Sequence, residues 1–180
     1  MLQPHTLGHE ISGEIVQVGA GVDACRVGER VCVHYLLYCQ RCEQCTQGHE
    51  QFCSAPPAAT LGNVVGACGM IGKDVAGGDD EYGAVPSVNA IAIPDAVPFD
   101  QAAIMCCSTA TSLHALHKAR VRAGESVAIV GTGGLGASAI QLARNLFGAS
   151  RVFAIDILDD KLAFAERTSC RVYCVCACRD

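Results

Sequence analysis

Residues 126–136, SVAIVGTGGLG, constrain this chain more than any other stretch. A continuous apolar run suits a strand buried on both faces, and it enters a glycine turn without a spacer. An Ala- and Leu-rich helical segment follows to Leu146, then a second strand at residues 151–155 (RVFAI), then Asp156. Residues 159–167 form a further predicted helix. Strand, glycine turn, helix and strand in this order specify a parallel α/β unit.

The turn carries its own chemistry. Gly131, Gly133 and Gly136 make GxGxxG, with Gly134 as an additional glycine. The first glycine permits the tight turn, the second lets backbone approach a pyrophosphate, and the third lets helix and strand close up. Phosphates then lie on the free N–H groups at the positive end of the helix. Asp156 stands twenty residues after Gly136, where a carboxylate accepts hydrogen bonds from ribose hydroxyls and repels a 2′-phosphate, so NAD is expected over NADP. Lys161 follows one turn later, either reaching the same ribose or standing as a solvated helix lysine. A glycine turn that binds nothing is the bland alternative; strand, turn, helix and acid all argue against it.

The first half has a different character. Residues 11–18 (ISGEIVQV) and 30–34 (RVCVH) are short β-branched runs bounded by glycines, which predicts a small barrel or sandwich. Residues 37–83 turn to Cys, Gly, Pro, Asp and Asn, the composition of loops. A strand over 84–88 is expected to lead into 90–93, and Pro98 with Asp100 marks a boundary before one or two helices over 101–119. The expected organisation is therefore a mostly β domain, residues 1–97, followed by an α/β domain, residues 98–180.

Composition bears on partners and compartment. Thirteen Lys and Arg stand against 18 Asp and Glu, net −5, with no basic cluster, which disfavours nucleic acid or an anionic membrane surface. No apolar run reaches the roughly 18 residues that span a bilayer, and the N-terminal residues lack the pattern of a secretion signal; the cytoplasm is the default. The thirteen cysteines are odd in number and, in a reducing compartment, point to metal ligands, catalytic groups or small buried side chains. Cys39, Cys42, Cys45 and Cys53 form C-x2-C-x2-C-x7-C, a set that suits tetrahedral zinc with no position open to water, hence a structural site. An iron–sulfur cluster also begins C-x2-C-x2-C but continues x3-C-P, and unmetallated core thiols are the third reading.

His9 and Glu10 stand in GHEISGEIVQVGAGV, and Cys107 in AAIMCCSTATSLHAL. A catalytic zinc needs protein ligands and one open position, and Cys107 is the best partner for His9; Cys106 is expected to be a small buried residue. His5, His34, His49, His114 and His117 lack such context and read as surface or core histidines.

These elements in this order resemble the zinc-containing medium-chain alcohol dehydrogenases. Gly8, His9, Glu10, Gly13, Gly19 and Val22 match the GHE motif; the four-cysteine lobe keeps the family spacing. GERV at 28–31 stands near the family's GDRV, and GTGGLG lies where the coenzyme turn belongs. The resemblance implies a GroES-like catalytic domain followed by a partial Rossmann coenzyme domain. It further implies a catalytic zinc on His9 and Cys107 with Glu10 beside it, and Thr111 near the nicotinamide. The implied chemistry is Lewis-acid activation of an alcohol and hydride transfer between a small alcohol or carbonyl substrate and NAD.

The departures are equally specific. The family places its first zinc-ligand cysteine, and the Ser or Thr that starts its proton relay, upstream of GHE; it continues through further strands, including the edge that pairs subunits. The chain is therefore expected to be truncated at both ends, and its homo-oligomer unsupported. The tail, TSCRVYCVCACRD, departs from the family. Cys170, Cys174, Cys176 and Cys178 admit a third metal site, an alternating apolar strand, or a tail out of the ancestral reading frame. Two functions follow: an NAD-dependent zinc oxidoreductase, or an inactive relative that keeps structural zinc and part of the dinucleotide site. A third, an iron–sulfur electron carrier, is disfavoured by the x7 spacing.

Overall fold

The computed structural model describes residues 6–54, 69–168 and the backbone of 172–176. Two compact units emerge, Met1–Cys107 and Ser108–Asp180.

In the first unit, β1 (Ile11–Glu14) pairs antiparallel with β2 (Arg30–Val33), in the register Ile11 to Val33 and Glu14 to Arg30. The strand expected over 11–18 is shorter. Ile15 N–H still donates to the Glu29 carbonyl at 3.0 Å, but Asp23 then caps a 3-10 turn over Ala24–Arg26 that removes the partner strand. β3 (Leu36–Leu37) pairs with β4 (Gly69–Met70), and α1 (Glu43–Thr46) lies in the connection between them. β5 (Ala90–Ala92) covers the other edge of β2. Val33, Leu37, Ile71 and Val75 form the core, with Ile11 and Val85 packed on it. Among the described residues these are small antiparallel sheets, and no barrel closes.

No strand forms over 84–88. Pro86 lacks a ladder donor, and the chain turns as a 3-10 segment, Ser87–Asn89, that drives Asn89 inward to 0% exposure. There Asn89 Nδ2 donates to the carbonyls of His34 (2.6 Å) and Leu36 (2.7 Å), while His34 N–H donates to the Asn89 carbonyl at 2.8 Å. The side chain thus substitutes for a strand where β2 passes into β3. The first unit also extends beyond the boundary expected near Pro98. In α2 (Phe99–Ala103), the Phe99 carbonyl accepts from Ser12 Oγ at 2.6 Å, and the Arg30 guanidinium lies 4.3 Å over the Phe99 ring.

A wide π-helical turn, Met105–Thr109, carries the chain into the second unit and α3 (Ala110–Lys118). There β6 (Ser126–Val130), α4 (Gly134–Asn145), β7 (Arg151–Asp156), α5 (Asp159–Thr168) and β8 (Val172–Cys176) alternate. The three strands lie in the order β6-β7-β8, all parallel, as the α/β reading requires. α4 presents Gly136, Ile140 and Ala143, at helical spacing, to a core that also holds Val152, Ala154, Leu162 and Leu116. β6 is not buried on both faces as expected: Val127 and Ile129 face the core, but the Ser126, Ala128 and Val130 face is open, with Val130 80% exposed. The tail forms a third strand over Val172–Cys176, which takes in Cys174 and Cys176; Cys170 and Cys178 lie outside the described residues, as does His5. Among the described residues no helix is long and apolar enough to cross a membrane.

Asn89→Ala removes two buried hydrogen bonds and strands their carbonyls. It is expected to lower the stability of the first unit by about 2 kcal/mol, seen as a lower urea midpoint when Tyr35, Tyr38 and Tyr82 fluorescence is followed.

Candidate functional site

Cys39, Cys42, Cys45 and Cys53 bring their sulfurs within 4.8 Å of one another, and among the described residues they are the only set of three or more metal donors that converges. Cys39 Sγ lies 3.9 Å from Cys45 Sγ, and Cys42 Sγ 4.0 Å from Cys53 Sγ. A zinc ion with bonds of about 2.3 Å to four tetrahedral sulfurs sets those sulfurs roughly 3.8 Å apart, so the cage fits one ion. A cluster of several irons would hold its thiolates further apart. The backbone is shaped for thiolates as well: Cys42 N–H donates to Cys39 Sγ, and Cys39 N–H to Cys53 Sγ, each at 3.3 Å. Gln40 takes a left-handed φ of 60° to close the first turn.

The four thiols are not electrically equal. N–H groups of Cys45 and Ser54 draw Cys42 down to about 5, and Cys39 is lowered by the N–H of Arg41. Burial and the neighbouring Cys42 and Cys53 thiols push Cys45 up to about 12. Cys42 is therefore the thiol that ionises most readily, and Cys45 the one whose proton a bound cation would help release.

His9 and Cys107 meet in the same unit. Cys107 Sγ lies 3.3 Å from His9 Nε2 across 98 positions of sequence, close to the roughly 3.5 Å expected of an N and an S donor sharing one tetrahedral zinc. The His9 ring is set by an edge contact with Tyr35, centroids 5.3 Å apart. Burial raises the Cys107 thiol, and the charge and hydrogen bond of Glu10 raise it further, so the carboxylate stands beside this thiol. Cys106 turns elsewhere. Its sulfur lies 3.2 Å from that of buried Cys32, and burial foremost pushes it up to about 12, but the residue is half-buried and not the fully buried one expected.

In the second unit the glycine turn has an open cradle. Gly131 adopts φ 87°, and a Cβ on Gly136 would collide with the Gly131 carbonyl oxygen, whereas at Gly133 or Gly134 it would meet nothing within 4 Å. Backbone there faces free space at the start of α4, whose Ncap Gly133 offers no side-chain cap. At the end of β7, Asp156 Oδ2 accepts from Thr132 N–H (2.7 Å) and Thr132 Oγ1 (3.0 Å), and Oδ1 from Leu158 N–H (3.1 Å). The Thr132 bond foremost holds the carboxyl down to about 2. Lys161 stands exposed in the first turn of α5, unpaired with Asp156 among the described residues, and Thr111 stands exposed in the first turn of α3. Sequence reasoning passed over Thr132, which looks like filler between two glycines; a hydroxyl at that position ahead of a strand-end acid was the available signal.

The model of the alcohol dehydrogenase GroES-like domain matches residues 1–95, the part that holds the thiol cage and His9. The chain belongs to the zinc-containing medium-chain alcohol dehydrogenase family. Galactitol-1-phosphate dehydrogenase from Escherichia coli is 35% identical (TM-score 0.80), over 96% of this chain and 46% of that one. An E. coli short chain alcohol dehydrogenase complexed with NADH is 27% identical (TM-score 0.81; 94% and 46%). A dehydrogenase from Sinorhizobium meliloti bound to NADP is 31% identical (TM-score 0.81; 97% and 47%). This family member therefore spans about half the length of the structures it resembles.

For this alcohol dehydrogenase relative, Cys42→Ser is expected to lower bound zinc by about one ion per chain, read by elemental analysis. In the unsubstituted chain loaded with cobalt, the thiolate charge-transfer absorption of a four-sulfur site should appear, and it should vanish in Cys53→Ala.

Proposed function

We propose that this chain transfers hydride between a small alcohol or polyol and NAD, and that it holds two zinc ions. One ion is structural, on Cys39, Cys42, Cys45 and Cys53; the other is catalytic, on His9 and Cys107 with Glu10 beside it. The meeting of His9 and Cys107 at 3.3 Å carries the reading, because residues so distant in sequence bring a thiol and an imidazole nitrogen to the spacing of two ligands on one ion. A zinc ion there would supply Lewis-acid charge that favours loss of the alcohol proton, and NAD would accept the hydride.

The chain's own residues supply binding and orientation. Tyr35 fixes the His9 ring, and Glu10 places negative charge against Cys107. Gly133 and Gly134 leave room for the pyrophosphate over the start of α4. Asp156 stays ionised for the ribose, with Lys161 a further candidate for its hydroxyls, and Thr111 is offered to the nicotinamide by its exposed place in α3. Relatives of this fold bind NADH or NADP, so the preference for NAD rests on the Asp156 charge. A reducing cytoplasm would keep the thiols of the cage available to metal.

One observation favours a second reading: among the described residues the four-thiol cage alone is a complete ligand set. An inactive relative would keep that zinc and bind dinucleotide without turnover. Zinc content and NADH absorbance with a panel of alcohols decide between them. Two zincs per chain and turnover that Cys107→Ser lowers by about 100-fold or more support the enzyme. One zinc and no turnover support the second reading, and a chain free of metal overturns both.

A further inference from the structure

Asp156 commits most of its carboxylate to the protein before any ligand arrives. An ionised carboxylate has about four acceptor positions. Both positions on Oδ2 are taken by Thr132, through its N–H and its hydroxyl, and one on Oδ1 by the Leu158 N–H. The Ile157 N–H adds to the donors on this carboxyl, and Oδ1, which receives nothing from Thr132, is the oxygen left to face a ligand. Thr132 itself is 3% exposed, although the glycines on either side of it are open to solvent. Its N–H is thereby directed at the carboxylate and withheld from the phosphate cradle, which is left to Gly133, Gly134 and the start of α4.

The geometry points to Thr132 as a positioning residue for coenzyme choice, fixing Asp156 so that Oδ1 alone meets the ribose and a stationary negative charge occupies the place of a 2′-phosphate. The inference rests on the NAD reading above. A carboxylate free to rotate can swing aside and admit the phosphate. Here rotation would leave two buried Thr132 donors without partners, an arrangement folded proteins avoid. The same fold holds either NADH or NADP in relatives, so the fold does not decide the choice; the Asp156 charge does, and Thr132 keeps that charge in place. The depressed carboxyl of Asp156 agrees with a charge held by donors in fixed positions.

The test uses the whole chain as wild type, Thr132→Val and Thr132→Ser. NADH and NADPH dissociation constants are measured by calorimetry, and Asp156 is titrated by carboxyl-carbon NMR. Wild type and Thr132→Ser should prefer NADH, with Asp156 ionised down to about pH 2 in the wild type. In Thr132→Val the NADH-to-NADPH preference should fall by about tenfold or more, the worth of one hydrogen bond to a charged group, and the Asp156 carboxyl should titrate at higher pH. An unchanged preference in Thr132→Val overturns the assignment while leaving the NAD reading intact. A wild type that binds neither dinucleotide overturns both, and the NMR titration then shows whether the tie between Thr132 and Asp156 exists apart from any coenzyme. Rescue by Thr132→Ser separates loss of the hydroxyl from a general loss of folding; failure of Ser to rescue counts against the assignment.

Discussion

Contact between the Gly131 carbonyl and the α-carbon face of Gly136 sets where α4 begins, and much of the second unit follows from that closeness. A side chain at residue 136 would push the helix away from the strand end. The Ile140 and Ala143 face would then leave the core it shares with Val152 and Ala154, and the turn between would lose its shape. That turn brings Thr132 to the Asp156 carboxylate, so helix seating, turn geometry and the charge at the strand end are consequences of one steric allowance.

The first unit meets a different constraint. Its apolar cluster is small, and the loop that carries the four cysteines has little hydrophobic surface to bury, with Cys45 and Cys53 among its few buried side chains. Such a loop depends on sulfur geometry for its order, as in metal-linked folds where binding energy becomes folding energy. Backbone N–H groups aimed at Cys39 and Cys53 provide part of that order beforehand. Asn89 does comparable work where β2 passes into β3, holding both to the chain that returns as β5.

Much of this was legible in the residues, and for reasons that can be named. The glycine turn, the acid after it and the C-x2-C-x2-C-x7-C spacing each reflect a local geometric demand, so the sequence displays them directly. The tail's alternation likewise marks the third strand, Val172–Cys176. What escaped was set by distant partners. Residues 84–88 look like a strand, yet the pull of Asn89 toward the His34 and Leu36 carbonyls makes a turn. Residues 98–107 look like the start of the second unit, yet Arg30 and Ser12 retain Phe99 in the first. Thr132 is short and unremarkable in sequence, and only the arrival of β7 beside it gives it an acid to hold.

The wide turn at Met105–Thr109 contains both Cys107 and the passage from one unit to the next. Junctions between domains are ordinarily where chains accept insertions most readily. This one leaves no such slack, since a residue added there would shift the sulfur that faces His9. The length of the connection and the place of the Cys107 sulfur are written in the same five residues, so the chain can vary at its loops far more freely than at this turn.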